Sequence, residues 1–285
     1  AAEEAQPKIA NTQVLRVYRL AMHIPYSTFS RYYFDSKIEK VKTFWADTEA
    51  FLNEMYLRDL GVRFEVVNDE RLIIKDATKE TFASSRNASY VKDNSTIVIN
   101  SLIGENSYDV GISLVYTSSQ QSGIRGLAHI EGVYQPNTKA DAVAVLTKEV
   151  IAHEIGHLFG GRHTFSSHKG SAAYDSEKTE LGSGTSVMSY GSPRDFFSLS
   201  SIERIRQRLT QVPAKAKDKT FATQAPRIDY SKIKNHYTIP KGTFFQFYIP
   251  ATDPDSEQLL YAVNQHDVRN GDETPITQYT IYKPT

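Results

Sequence analysis

Residues 153–163 read HEIGHLFGGRH. No other stretch constrains the fold as much, because it asks for a helix that stops abruptly and a chain that turns back on it. On a helix, His153 and His157 are four apart and point to the same side. Two imidazoles on one face can take two corners of a tetrahedral Zn²⁺. Glu154 lies one step round, too far to be a ligand yet close enough to reach a metal-activated water as general base. Gly160 can end the helix, since glycine tolerates a left-handed backbone. Gly161 loosens the turn, and His163 returns from the loop as a third nitrogen. Three protein ligands and one open position make a catalytic site rather than a structural one.

The plain alternative is a buried helix with incidental histidines, and HEIGH alone would leave it open. With 15 glycines and 8 histidines in 285 residues, the added Gly and His coincide by chance about once in 700. The alternative fails on that ground.

The rest of the chain supplies a frame for this helix. DAVAVLTKEVIAHEIGHLFG (141–160) is apolar all round, the pattern of a helix running through the middle of a domain. QVLRVYRLAMHI (13–24) is expected as a strand, with Val14, Arg16, Tyr18, Leu20 and Met22 on one face. SKIEKVKTFWADTEAFLNEMYLRDLG (36–61) is an amphipathic helix. Ile38, Val41, Trp45, Thr48, Leu52 and Met55 share its inner face, Ser36 is the expected cap and Gly61 the stop. VRFEVV (62–67) and RLIIK (71–75) suggest a strand pair, and STIVIN (95–100) is a short apolar run. DVGISLVYTSS (109–119) and GLAHIEGVY (126–134) suggest two more strands. SLSSIERIRQRL (198–209) is a helix with a Ser200–Glu203 capping box and Ile202, Ile205 and Leu209 on one face. This order predicts a mixed α/β (α+β) layout.

The polar, proline-bearing stretch KAKDKTFATQAPR (215–227) is expected as a linker. The domain plan is then a loose N-terminus (1–12), a catalytic domain (13–214), that linker, and a partial all-β module (228–285). HYTIP, GTFFQFYIPATDPD, QLLYAVNQH and QYTIYK supply its short strands. Sixty residues of this kind are few for a sandwich.

Composition narrows the partners. Lys+Arg and Asp+Glu balance at 33 each, which argues against a nucleic-acid or anionic-membrane surface as the main business. No run of 18 apolar residues exists to span a membrane. The absence of cysteine removes thiolate nucleophiles, Cys metal sites and disulfides together. The start AAEEAQPK, without an initiator Met, a basic n-region or an apolar h-region, reads as a processed or trimmed end.

HEIGHLFGGRH has the form H-E-x-x-H-x-x-G-x-x-H and so resembles the metzincin clan of zinc metallopeptidases. The clan also carries a methionine turn below the metal, and SVMSYG (186–191) matches it, with Met188 as the implied base of the site. Residues 13–210 resemble the bacterial reprolysin-like (adamalysin-type) peptidases in VYRLAM, the IGENSYDVG run, GLAHIEGVY and ELGSGTSVMSYG. Thr164 departs from the Asp that follows the third His in animal reprolysins. HTF (163–165) is similar to the pappalysins, and SVMSY to the serralysins and astacins, where the Tyr two after Met can ligate zinc or swing aside. Tyr190 holds that place, either as an oxyanion donor or as a ring packed under the helix.

The resemblance implies a secreted or cell-surface bacterial zinc endopeptidase with protein or peptide substrates; the oligomeric state is left open, with a monomer favoured. It implies a twisted sheet, a zinc helix and a Met turn, followed by an Ig-like fragment beginning near ATDPD (251–255). It makes GLAHIEGVY an edge strand on which substrate pairs, through Gly126, Leu127, Ala128 and His129. Ser192, Pro193 and Arg194 either line the pocket for the residue after the scissile bond or form a plain surface loop. Relatives often carry Ca²⁺. Asp253 and Asp255 are the candidates here, with a turn as the competing use. His129 and His168 are expected to be solvated or bonded to backbone, and His23, His236 and His266 have no metal spacing. Two rival readings stand beside the peptidase: a zinc amidase or deacetylase, and an adhesin with a structural metal. The edge strand and Met turn count against the first, and Glu154 against the second.

Overall fold

A computed structural model describes residues 14–31, 33–83, 87–116, 125–166, 176–180, 182–211, 217–220, 223–234, 236–244, 246, 248–255, 258–259, 261–263 and 281–282. Residues 1–12, His168 and His266 lie outside them.

The first strand, β1 (Val14–His23), is the axis of a six-stranded sheet. From Leu20 onward it is buried at every residue, not only on the face that carries Leu20 and Met22. Continuous burial is the mark of a central parallel strand with both faces covered. β2 (Val62–Val66) and β3 (Val110–Leu114) run parallel to β1, and β5 (Ala142–Ala144) runs parallel to β3. β4 (Gly126–Ala128) is antiparallel to β5 and ends the order β2-β1-β3-β5-β4. The result is a mixed α/β domain with a mostly parallel sheet, as the sequence suggested.

A short helix, α1 (Tyr26–Phe29), follows β1. The long helix α2 (Ile38–Leu60) buries Val41, Trp45, Thr48, Leu52 and Met55, as its periodicity required, and Gly61 N–H closes it on Leu57 O at 3.2 Å. Its N-cap is Lys37 rather than Ser36. Ser36 stands outside the helix with φ 54°, where its hydroxyl cannot cap the first turn.

Two expectations are corrected, and one apolar run is placed. STIVIN belongs to a helix, α3 (Ala88–Ile103), capped by Asn87 Oδ1 accepting from Tyr90 N–H at 2.8 Å. Val91, Ser95, Ile99 and Ile103 recur every four residues on its buried face, while Ile97 in the middle of the apolar run is exposed. DAVAVL is not helical. It holds β5, and the zinc helix α4 (Lys148–Leu158) begins only after Thr147. β5 lies between two strands with every residue buried, so its apolar pattern cannot be told from that of a buried helix. RLIIK forms a 3-10 turn at Glu70–Leu72 and a single parallel bridge between Ile73 and Ile24 instead of a strand. Asp69 accepts from Arg71 N–H at 2.9 Å there and holds the chain in a turn.

α5 (Leu199–Gln211) buries Ile205 and Leu209. Its first turn is capped by Ser198 Oγ, which accepts from Ser201 N–H at 3.4 Å, so Ser200 lies inside the helix and forms no capping box. Between α4 and α5 lie β6 (His163–Phe165) and β7 (Ser176–Glu180), a parallel pair, and after α5 comes β8 (Lys217–Thr220). β8 pairs antiparallel with Val14–Val17 of β1. This part of the expected linker is therefore a strand of the six-stranded sheet.

The remaining pairings are β9 (Arg227–Ile228) with β10 (Ala251–Thr252), and β11 (Ala262–Val263) with β12 (Ile281–Tyr282). HYTIP forms no strand. Phe244, Tyr248 and Tyr237 are exposed in this segment. Among the described residues, no helix is long and apolar enough to cross a membrane.

The core converges on α4. Tyr56 of α2 meets Phe64 at 5.0 Å and Phe197 at 4.8 Å edge to face, and Phe159 at the end of α4 meets Tyr18 at 4.9 Å. Tyr56 Oη also donates to Ala152 O of α4 at 2.6 Å. Each large ring of this kind is worth about 3–5 kcal/mol against truncation to Ala. α4 is thus clamped along its length, with residues 150–158 all buried.

Candidate metal centre

α4 presents His153 and His157 on one face. The helix ends at Phe159, Gly160 takes φ +99°, and Gly161 N–H reaches back to Gly156 O at 2.9 Å. That left-handed step, which only glycine makes at low cost, reverses the chain into β6 and delivers His163. The three Nε2 atoms form a triangle with sides of 3.1, 3.2 and 3.2 Å. Three ligands of a tetrahedral zinc at 2.0–2.1 Å stand about 3.3 Å apart.

The tautomers decide what this triangle is for. His153 Nδ1 faces Val187 O at 2.7 Å and His157 Nδ1 faces Gly161 O at 2.7 Å. A carbonyl only accepts, so each Nδ1 carries the proton and each Nε2 presents a lone pair. Two lone pairs 3.1 Å apart in a buried place repel unless a cation lies between them. The residues fit a zinc ion. Burial, then His157 and His163, hold the His153 imidazole well below its ordinary pKa, which keeps it neutral and able to ligate. Among the described residues this is the only such cluster of three potential ligands.

Glu154 is 4% exposed, and burial raises its carboxyl well above the usual range. Its Oε2 has no hydrogen-bond partner. Gly126 of β4 lies directly against it: a Cβ there would fall 2.3 Å from Glu154 Oε1. The edge strand thus passes over the carboxylate, and it can do so only at a glycine.

Met188 is fully buried beneath α4. A Cβ on Gly156 would meet its Sδ at 2.4 Å, so the Met turn and the zinc helix touch at a position that admits no side chain. Gly156 was missed in the sequence. Its signal was a glycine in a helix interior, which costs about 1 kcal/mol and calls for a packing reason. The carbonyl of Val187, which orients His153, carries no side-chain signal at all.

Tyr190 Oη stands 3.2 Å from His163 Nε2, and its ring lies 4.9 Å from His163 and 4.7 Å from Phe165. The phenol is therefore at the centre, not packed under the helix. Burial and then Glu154 raise its pKa. Ser192 and Pro193 are exposed and joined by a cis peptide. Arg194 follows with φ 60°, and its pKa is lowered by burial and then by Arg125, which places its charge near the first residue before β4.

Of the GLAHIEGVY stretch, only Gly126–Ala128 is strand. Glu131 turns the chain at φ 65° into a 3-10 turn at Gly132–Tyr134. His129 is exposed, and its backbone N–H donates to Asp141 O at 2.8 Å. His23 is buried elsewhere, and His236 is exposed with its Nε2 3.2 Å from Thr238 Oγ1. Asp253 accepts from Asp255 N–H at 2.8 Å within a turn, and Asp255 accepts from Gln224 N–H at 2.5 Å across the segment.

No curated protein matches the chain. One solved structure, titled "Structure of a chaperone-substrate complex", aligns with a TM-score of 0.43 at 14% identity, over 68% of this chain and 31% of that one. The chain thus spans less than a third of that structure's length, and so loose a likeness carries no argument. The sequence profile of the reprolysin-like metallopeptidases of family M12B matches residues 14–210. That span runs from the first residue of β1 to the last turn of α5, takes in every strand of the sheet but β8, and holds all three histidines. This chain belongs to the reprolysin-like M12B metallopeptidases.

Proposed function

We propose that the protein is a zinc endopeptidase that cleaves extended segments of protein laid along β4. His153, His157 and His163 would hold the zinc, which supplies Lewis acidity and brings the pKa of a water down to about 7. The chain's own residues do the rest. Glu154 Oε2 accepts a proton from the attacking water and delivers it to the departing amine. Burial without a partner suits it to that exchange, since the protonated and ionised forms are brought closer in energy. Tyr190 Oη donates to the oxyanion as the carbonyl becomes tetrahedral.

β4 positions the substrate. Arg125 O accepts from Val145 N–H at 2.9 Å, and His129 N–H donates to Asp141 O at 2.8 Å, so these odd-numbered residues face β5. Backbone direction alternates along a strand, which turns the N–H and C=O of Gly126 and Ala128 toward the open edge. A substrate strand pairs with those two residues. The observation that carries the reading is Gly126 itself, which sets the open edge of the sheet against the one buried carboxylate beside the nitrogen triangle. A structural zinc site needs neither.

The test is digestion of casein with and without a chelator, in wild type and Glu154→Gln. Chelation should abolish cleavage and added zinc restore it. Glu154→Gln should keep about one zinc per chain while turnover falls about 10²- to 10⁴-fold. Cleavage unaffected by chelation, or a Glu154→Gln variant with more than a tenth of wild-type turnover, removes the mechanism.

A further inference from the structure

The most densely satisfied buried carboxylate outside the metal centre is Glu180. It is fully buried at the end of β7. Oε1 accepts two backbone N–H groups, from Thr185 at 2.9 Å and Ser186 at 3.0 Å. Oε2 accepts three hydroxyls, from Thr164, from Ser186 at 2.5 Å and from Ser189 at 2.6 Å. Five donors on one carboxylate outweigh its desolvation. Burial pushes its pKa up, but the Ser186, Ser189 and Thr164 hydroxyls and the Thr185 amide bring it below the usual value.

These donors come from two pieces of chain that build the metal centre. Thr164 is the residue after His163 in β6. Thr185, Ser186 and Ser189 surround Val187, whose carbonyl orients His153, and Met188, and Ser189 immediately precedes Tyr190. Thr164 and Ser189 also touch each other, Oγ1 to Oγ at 2.7 Å. By comparison, the direct backbone link between the two pieces is long: Thr164 N–H to Met188 O is 3.3 Å.

We propose that Glu180 is a positioning residue of the metal centre, whose carboxylate ties the strand carrying His163 to the turn carrying Val187, Met188 and Tyr190. The inference rests on the three histidines holding zinc, not on the peptidase reaction. A third ligand arriving from outside the helix has no i, i+4 geometry to fix it. Here the fixing comes through Thr164 and the buried charge. Residues that orient ligands from behind typically govern metal affinity by ten- to a hundredfold.

Zinc affinity, measured by competition with a chromophoric chelator, and the melting temperature of the metal-free protein test this together. Thr164→Val removes the hydroxyl that links Glu180 to the His163 strand, and with it the direct contacts to Ser189 and Ser186, with little change of shape. It should weaken zinc binding ten- to a hundredfold while the metal-free protein melts within a few degrees of wild type. Ser189→Ala removes one of the four donors on the other side, together with the Thr164–Ser189 contact; it should act in the same direction, more weakly, and serves if Thr164→Val does not fold. Glu180→Gln should be milder than Glu180→Ala, because its amide can donate to hydroxyls that rotate to accept. Unchanged zinc affinity in Thr164→Val and Ser189→Ala, with lowered melting temperatures alone, would show that Glu180 only supports the fold and overturn the proposal. A wild-type protein that takes up no zinc would overturn the metal centre itself, and the proposal with it. That result is distinguishable because it appears without any substitution.

Discussion

His23 and His153 are buried alike, at 0% and 4% exposure, and are held alike. Each donates Nδ1–H to a backbone carbonyl, His23 to Leu72 O at 2.8 Å and His153 to Val187 O at 2.7 Å. They differ at the other nitrogen. His23 Nε2 faces the Thr81 hydroxyl at 2.8 Å, a donor that completes the ring's hydrogen bonding. His153 Nε2 faces two more imidazole nitrogens. Burial and a clamped tautomer are therefore not what make a histidine a ligand. Convergence of lone pairs is, and only the second pocket has it.

The strongest way to break this comparison is to delete each ring. His153→Ala should leave a folded protein that binds zinc at least a hundredfold more weakly and has no measurable peptidase activity. His23→Ala should cost about 2–4 kcal/mol of stability, from the cavity and the two polar partners left behind. It should keep one zinc per chain and near-normal turnover per folded molecule. Metal analysis and denaturant unfolding on the same samples would decide. If His23→Ala loses zinc at temperatures where it stays folded, the two pockets are coupled and the contrast is false.

Tyr190→Phe sharpens the second pocket. The lost hydroxyl lies 3.2 Å from His163 Nε2. If it donates to the oxyanion, kcat should fall about ten- to a thousandfold with KM little changed, since that bond exists only in the transition state. Zinc content should stay at one per chain, because the three histidines hold the metal. Wild-type kcat in this variant would reduce Tyr190 to a packing ring.

Acid separates the pockets by a further test. Burial lowers the His23 pKa from 6.5 to about 4. The unfolded chain then takes up a proton before the folded one does, so the ring favours folding fully above pH 6.5 and loses that contribution as pH falls toward 4. A displacement of this size corresponds to about 3 kcal/mol. His23→Asn has no such proton to bind. The stability gap between wild type and His23→Asn, read from urea unfolding, should therefore narrow by about that amount between pH 7 and 4. A gap that stays constant would mean that His23 does not titrate with folding.

Much of the site was legible because its logic is local. His153, Glu154 and His157 follow from a helical repeat, Gly160 from the need to stop, and His163 and Met188 from motifs at fixed offsets. The sequence hid what depends on contacts across the fold. Glu180 acts through residues 164 and 185–189, and its five donor groups belong to ordinary Ser and Thr residues, one in β6 and three in the turn. The acid that animal relatives place directly after the third His is Thr164 here, and the carboxylate bonded to Thr164 comes from Glu180 instead. The parts of the fold that were hard to read have different causes. In β5 and α3, burial on both sides or on a small-residue face blurred the period that separates strand from helix. RLIIK was apolar enough for a strand, but Asp69 held its start in a turn. β8 was overlooked because KDKT is polar. Its place on β1 comes from backbone pairing, which leaves little trace in side-chain type.

That strand sets the last and smallest expected effect. Both histidine pockets are built on β1 and the elements packed around it, so the comparison between them requires the matched body to stand without the segment beyond β8. β8 pairs with Val14–Val17, whereas β9–β12 pair only among themselves among the described residues. Truncation after residue 222 keeps β8 and should leave zinc stoichiometry, His23-dependent stability and turnover on a short peptide within about twofold, a change of about 0.4 kcal/mol at most. Truncation after residue 214 also removes β8. The backbone hydrogen bonds of a four-residue pairing are worth about 1 kcal/mol each at best and sit at one end of the strand. Melting should drop by roughly 5 °C, with the metal centre intact because it lies at the other side of the sheet, near β4 and β5. Calorimetry on the two truncations beside the full chain reads this directly. If the cut after residue 222 already unfolds the protein or empties the metal centre, the C-terminal segment is part of the catalytic body, and the two pockets cannot be compared as features of residues 14–220 alone.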